Sequence, residues 1–575
     1  MIKDLHPLTK KLLANRGVVG DENIEKFLNP SYERDIQNPF LIYGMEKAVK
    51  RIIKAIKNEE KIVIYSDYDC DGIPGGVVLR DFFDTIGYKN VEIYIPHRHN
   101  EGYGVHKRAI DKFVKDKIKL MITVDSGITN VEEIKYAEEL GINVIVTDHH
   151  LPVHEKGKQI VPEAFVVINS KQDECDYHDD MLCGCAVAWK LACAVLLQLK
   201  DDVKKLKKDA KTKPNAYGIV LDTVSKLKEG AEKWWLDLVG ISTIADMVPL
   251  QKENRALAHF GLKVLRQTKR HGLNHIFYAQ GVSKEHLTEE DISFTIAPRI
   301  NAASRMGHPL QAHNMLYEKN SHTAQGFVID LEGLNNERKG GVKDILATIS
   351  FDHSVYQEKV VVVGDESWTP GVLGLIAQKI IEETGKPTFV WGQGEDKDIL
   401  KGSCRSLGDV HVVDLMKEAE SVLVGFGGHE QAGGFSFKKE NKEKLLGALN
   451  NAIERVEIKE RTGEETIIDE VLSFDDVNNA TYEAINVLAP FGVGNAKPTF
   501  SFTKTKPLSV RRFGKKNEHI EVMYPIGKGD VKAIKFFVDE ELEEKLKKEH
   551  VLVAHIEKSV FRGKIELRLR IQQLI

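Results

Sequence analysis

The sequence predicts an α/β protein made of two α/β lobes joined by a helical spacer, with a small antiparallel barrel in the C-terminal part. Three observations carry this reading. Short β-branched runs alternate with amphipathic helical patterns from Lys61 onward, and the same alternation restarts near Lys359. Residues 251 to about 350 show helical periodicity and no clear strand. From about Thr466, short strand candidates separated by polar turns suit a barrel.

The 575 residues exceed a single core, and three or four domains are expected at roughly 150 residues each. The boundaries fall at 1–55 for an N-terminal helical segment that accompanies the first lobe, 56–250 for that lobe, 251–350 for the spacer, 351–460 for the second lobe and 461–575 for the barrel. A hydrophobic fraction of 42% and a charged fraction of 29% are those of a soluble globular protein. No apolar stretch approaches the ~18 residues of a membrane span. The opening MIKDLHPLTK lacks a secretory h-region, so a cytoplasmic protein without a membrane partner is expected. Six cysteines without a CxxC pair read as free thiols, with Cys183 and Cys185 packing a helix.

In the first lobe KIVIYS, VEIYIPH, KLMITVD, INVIVTD and AFVVIN read as strands, with helices such as VHKRAIDKFVKDK and NVEEIKYAEELG between them. Near-continuous apolar strands with helical crossovers form a parallel sheet buried on both faces. Ligands collect at the carboxyl ends of such strands. Those ends carry Asp67, Asp69 and Asp71 in DYDCD, then Pro96-His97-Arg98, Asp125-Ser126-Gly127 and Asp148-His149-His150. A single Asp there commonly caps a helix, but capping does not account for DYDCD or for two consecutive histidines. The later run WWLDLVGISTIADMVP ends in another acid, Asp246, and the Lys-rich stretch from Val203 to Gly218 reads as a solvated helix end and loop.

The second lobe begins with the strand KVVVVG, the helix GVLGLIAQKIIEETG and the strand PTFVWG. A loop, KGSCRS, and the glycine-rich GFGGHEQAGGFSF follow; Trp368 and Phe426 are expected in the core. Barrel strands are KPTFSF, HIEVMY, VKAIKFF, HVLVAHIE and KIELRLRI. Ser501 to Ile575 holds 17 Lys and Arg against 11 Asp and Glu, which leaves the rest of a chain of net charge −5 at −11. A basic module on an acidic body suggests one part that holds a polyanion and another that holds cations.

Several Asp and a His supply hard oxygen donors and an imidazole. That set suits Mn²⁺ or Mg²⁺, with imidazole favouring Mn²⁺, and it has more donors than one ion needs once water is counted. Two divalent cations, and metal-assisted phosphoester hydrolysis, are therefore expected.

DYDCDG, VDSG, TDHH and ADMVP, in this order and spacing, resemble the four motifs of the DHH phosphoesterase superfamily, with Asp148-His149-His150 as its signature. PHRHNEGYG, PRINAASRMGHP, WTPGVLGLIAQKI, KGSCRS, GFGGHEQAGG and LAPFGVGNAKPTF resemble stretches of its bacterial single-strand-specific DNA exonucleases. The likeness runs from about residue 5 to the C-terminus. It implies a DHH lobe, a DHHA1 lobe and an OB-fold, in an enzyme of DNA repair and recombination. That enzyme would degrade single-stranded DNA from 5′ to 3′ by a two-metal mechanism and release 5′ mononucleotides. It also implies a single-strand-binding protein and a RecQ-type helicase as partners. Nothing indicates oligomerisation, so a monomer is expected.

Position by position, the resemblance puts Asp69, Asp71, Asp125, His149 and Asp246 in the metal shell, with Asp125 bridging the ions. Asp67 and His150 complete the catalytic set as neighbours that orient ligands or touch substrate. Some members of the superfamily have a histidine where this chain has Tyr65, so one ion is expected to complete its shell with water. Arg98, Ser403 and Arg405 resemble the pocket for the substrate's 5′ phosphate. Arg299, Asn301 and Arg305 are expected at the nucleotide backbone, and His429 at a phosphate. Two other readings differ in visible ways. A phosphoesterase acting on short oligonucleotides, cyclic dinucleotides or pyrophosphate needs no barrel, and a non-catalytic replication scaffold would have lost the acids.

Overall fold

Five parallel strands build the first lobe: β1 (Lys61–Ser66), β2 (Val91–Tyr94), β3 (Ile118–Val124), β4 (Asn143–Thr147) and β7 (Val166–Ile168), in the order β2-β1-β3-β4-β7. Their alternation serves two cores. Ile62 and Ile64 enter one apolar cluster, whereas Val63 and Tyr65 enter the other on the opposite face. Between β4 and β7 lies a hairpin, β5 (Val153–Glu155) and β6 (Lys158–Ile160), which the apolar pattern does not announce because its residues are exposed or half-buried. The structure, a computed structural model, describes residues 5–206, 215–349, 358–394, 396–459, 467–514, 516–527, 529–561 and 564–575. Residues 207–214, half of the Lys-rich stretch, lie outside the described residues.

The spacer is helical from Lys252 to Thr348, with no strand among its described residues. The second lobe contains β8 (Val361–Gly364), β9 (Thr388–Gln393), β10 (Ile399–Arg405), β11 (Gly425–Gly428) and β12 (Ala432–Lys438), ordered β11-β12-β10-β9-β8. KGSCRS is thus not a loop. It falls in β10, the middle strand, paired along its length with β9 and β12. Gly402 weakens the strand pattern but is required there, since a Cβ would lie 2.1 Å from the Phe435 ring.

The C-terminal body holds β13 (Glu470–Leu472), β14 (Phe500–Thr505), β15 (Ser509–Phe513), β16 (His519–Ile526), β17 (Gly529–Lys535), β18 (His550–Phe561) and β19 (Lys564–Leu574). They form one sheet, mostly antiparallel, with parallel pairs β13/β14 and β17/β19. The N-terminal segment divides between two bodies. Helix Met45–Lys57 packs in the first lobe, but Leu8, Leu12 and Leu13 are buried in the core of the C-terminal body beside Phe500 and Phe502. Each such leucine contributes about 1.5–3 kcal/mol on burial, so the first helix is a structural part of that body. The six cysteines are free, five of them buried.

Candidate metal centre and phosphate pocket

The parallel ladder continues one residue past the strands. Asp67 donates its N–H to the carbonyl of Val124 (3.0 Å), Asp125 to that of Thr147 (3.0 Å) and Asp148 to that of Ile168 (3.1 Å). Backbone pairing therefore lines up three acids on one sheet edge before their side chains make any contact. Asp125 adopts φ +59°, a left-handed conformation that Asp tolerates better than most residues. Helix Gly184–Leu206 begins against it, and a Cβ on Gly184 would sit 2.6 Å from the Asp125 Cβ. This close approach lets the N–H groups of Gly184 and Cys185 reach the Asp71 carboxylate at 2.6 and 2.8 Å.

Among the described residues three overlapping groups of metal-capable atoms result, each within 4.8 Å: Asp67, Asp69 and Asp125; Asp71, His149 and Asp246; Asp125, His149 and His150. Asp125 and His149 each belong to two of them. The His149 Nε2 lies 3.2 Å from Asp125 Oδ1 and 3.7 Å from an oxygen of both Asp71 and Asp246. Asp67 sits among the donors rather than behind them, and its Oδ1 is buried without a partner, as are Asp125 Oδ1 and His149 Nε2. Tyr65 takes no part: it is fully buried, and its hydroxyl donates to the Gly104 carbonyl at 2.8 Å.

Electrostatics test whether cations fit. Burial, then the charge of Asp69, lifts Asp71 to about 6. Burial, then Asp71 and Asp69, lifts Asp246 to about 9; burial and then Asp69 hold Asp67, and burial and then Asp71 and Asp69 hold Asp125, well above the ordinary carboxylate range. Burial and the neighbouring His150 lower His149 to about 3, so its ring is neutral, with a lone pair available at the orphaned nitrogen. Converging acceptors, of which Asp67 Oδ1, Asp125 Oδ1 and His149 Nε2 lack a donor, are costly alone and suit divalent cations. The donor set fits Mn²⁺ or Mg²⁺.

Asp148, outside the expected set, organises the others. Its Oδ1 accepts the backbone N–H groups of His149 (2.7 Å) and His150 (3.1 Å) and lies 2.8 Å from His150 Nδ1; its Oδ2 accepts the Ile128 N–H (2.9 Å). Burial opposes charge on His150, yet Asp148 outweighs it and raises the ring to about 9. The Tyr103 hydroxyl donates to the Asp125 carbonyl at 3.2 Å and lies 3.1 Å from the His150 ring.

Arginines gather across the cleft. Arg98 stacks 4.9 Å above the Tyr68 ring, and Arg405 donates to the Cys404 carbonyl (2.8 Å) and to Ser403 Oγ (3.3 Å). Arg305 donates to the Gly371 carbonyl at 3.0 Å and is pushed down to about 9 by burial and then by Arg98, Arg338 and Arg405. Among the described residues no carboxylate is within ion-pair range of Arg98, Arg305 or Arg405, so their guanidinium groups could pair with an anion. Helix Pro370–Thr384 borders it; a Cβ on Gly374 would lie 2.9 Å from Arg405 and 3.1 Å from Ser403. His429, at the β11–β12 turn, stacks on His150 at 6.1 Å and so brings the second lobe onto the metal centre.

Arg299 lies close enough to Arg338 for the two charges to repel, but unlike Arg98, Arg305 and Arg405 it is paired. It is buried in an ion pair with Glu332 (2.6 Å) and also donates to the Thr295 carbonyl, so its charge is already spent inside the spacer. Asn301 lies on the same helix as Arg305, its buried Oδ1 without a partner. Phe426 is not core but about one-third exposed on the edge strand β11; Trp368 is half-buried. Arg338, beside Arg305, was invisible in the sequence because it sits in a long helix without a motif. Lys171, beside Asp246 and Asp148, follows an ordinary strand end; only Asp148 carried a signal, inside its triplet.

Comparison with known proteins matches residues 61–219 to the DHH family N-terminal domain, 357–455 to the DHHA1 domain and 468–573 to the RecJ OB domain. The single-stranded-DNA-specific exonuclease RecJ of Bacillus subtilis is 33% identical over 526 residues, 91% of this chain and 62% of the relative, so this chain spans under two thirds of that relative's length. The RecJ of Haemophilus influenzae is 27% identical over 583 residues, covering 99% of this chain and 96% of the relative. A crystal structure of Thermus thermophilus RecJ in complex with Mn²⁺ shares the fold, with TM-score 0.77, 24% identity and coverage of 100% of this chain and 76% of that one. With all three domains matched in order and relatives aligned along nearly the whole length, the chain belongs to the RecJ family of DHH proteins.

Proposed function

We propose that this chain is a single-stranded-DNA-specific exonuclease that hydrolyses phosphodiesters from the 5′ end and releases 5′ mononucleotides, with two divalent cations, Mn²⁺ or Mg²⁺. The observation that carries it is a cluster of buried, under-satisfied acids and a neutral imidazole facing arginines that lack counter-ions. The name of these relatives, single-stranded-DNA-specific exonuclease, agrees with this chemistry.

Asp67, Asp69, Asp71, Asp125, His149 and Asp246 would hold the ions. When bound, these activate water and neutralise charge on the reacting phosphate. The chain's own residues do the rest. Arg98, Arg305, Arg405 and Ser403 hold the terminal phosphate, which sets the distance from strand end to scissile bond. Asp148 keeps the His149–His150 pair oriented, and the Gly184 and Cys185 N–H groups fix Asp71. The basic C-terminal module tracks the strand. To this reading belong DNA repair in the cytoplasm, a monomeric enzyme, and a single-strand-binding protein and RecQ-type helicase as partners.

Strands labelled internally and blocked at either end test the proposal. A 5′ block should stop release of mononucleotides and a 3′ block should not. Equal degradation from both ends would overturn it.

A further inference from the structure

Asp246 lies just beyond helix Leu236–Ala245, and the chain turns sharply there, with Met247 at φ +58°, before helix Lys252–Leu265 begins. The two helices pack closely enough that a Cβ on Gly240 would lie 2.6 Å from the Gly261 Cα. One end of the hairpin is thus fixed by helix packing, and the turn itself packs Val248 and Leu250 into the core of the first lobe, with the Glu253 N–H donating to Asp179 at 3.1 Å where the next helix begins.

A second support, on the backbone of the turn, comes from the C-terminal body. In its loop 488–495, the Val493 carbonyl accepts the Leu250 N–H at 2.7 Å and the Gly494 carbonyl accepts the Gln251 side-chain amide at 3.0 Å. Gly492 sits so close that a Cβ would lie 2.8 Å from Leu250 Cδ1. Arg255, buried with no carboxylate partner among the described residues, donates to the carbonyls of Leu488 (3.0 Å), Ala489 (3.1 Å) and Phe27 (2.8 Å). The loop is itself braced: Asn495 donates to the Leu488 and Pro490 carbonyls at 2.9 and 2.8 Å, and its Oδ1 accepts from Arg16 at 3.0 Å.

We propose that loop 488–495 is a positioning element for Asp246: the single-strand-binding body sets the register of the turn that presents this ligand, so the two sites form one mechanical unit. The inference rests on the reading of Asp246 as a metal ligand. Gly492, Gln251 and Leu250 are its positioning residues; none belongs to the metal shell.

The test uses the full chain and Mn²⁺ alone, titrated by calorimetry, with single-strand affinity measured separately in EDTA. Gly492→Val should push on Leu250 and weaken Mn²⁺ binding by about tenfold or more, as loss of an outer support does, with strand affinity in EDTA unchanged. Adding Leu250→Ala should open the space and restore Mn²⁺ affinity. Unchanged Mn²⁺ affinity in Gly492→Val, or no recovery in the double variant, overturns the inference. If Gly492→Val melts early, Gln251→Ala carries the test. It removes one surface hydrogen bond, and its Mn²⁺ Kd should rise about threefold; an unchanged Kd overturns the inference. Mn²⁺ affinity is read without substrate, so this result stands whatever the strand assay returns.

Discussion

Asp125→Asn is expected to reduce strand hydrolysis on the order of 10³-fold while raising the melting temperature of the metal-free chain by about 2–4 °C. Both effects come from one carboxylate. Asp125 is buried, and its pKa is held well above the ordinary range by burial and then by Asp71, Asp69 and Asp67. An acid whose pKa is raised by folding costs stability once the pH exceeds its unfolded value, because the folded form must take up a proton or bury a charge. Asparagine removes that cost and keeps the shape. It also tolerates φ +59°, whereas alanine would add backbone strain and blur the result. With Mn²⁺ present the order should reverse: the wild type gains stability by binding and the variant does not. A variant with the wild-type rate, or one that melts lower without metal, would contradict this account of Asp125.

The second large effect is expected at the strand end. Arg405→Ala should slow hydrolysis of 5′-phosphorylated strands by about 10- to 100-fold, the size of one or two charge-assisted hydrogen bonds, and leave 5′-hydroxyl strands nearly unchanged. Arg405→Lys should recover little, because a point charge does not replace the planar fork that the Ser403 and Cys404 contacts now hold in place. Equal losses on both substrates would move the phosphate pocket away from Arg405. Arg299→Gln, by contrast, breaks a buried pair with Glu332, so its damage should appear in stability before it appears in phosphate preference.

What the sequence revealed and what it hid follow from the range of the forces involved. The parallel strands and the acids at their ends are local: β-branched runs, helical periods and short motifs lie within a few residues of one another. The destination of the first helix is not local. Leu8, Leu12 and Leu13 show an apolar face but not its partner, which is more than 450 residues away in the chain, so of the segment expected beside the first lobe the first helix packs elsewhere while helix Met45–Lys57 packs there. KGSCRS failed for a different reason. Gly, Ser and Cys are weak strand formers, and β10 exists because β9 and β12 flank it and Phe435 packs over Gly402. In the centre itself the residue types were legible but not the division of labour. Asp67 has an unpaired oxygen among the donors, Asp71 also caps a helix, and Asp148, seen only as one letter of a triplet, holds its neighbours. Arg338 and Lys171 could be found only once the chain had folded around them.

The central claim is a two-cation centre organised on Asp125. Anomalous scattering from crystals of the full chain grown with Mn²⁺ tests it most directly. Two peaks about 4 Å apart are expected, both within ligand distance of Asp125, one towards Asp67 and Asp69 and the other towards His149 and Asp246. A single peak, or peaks that leave Asp125 outside the coordination shell, would contradict it.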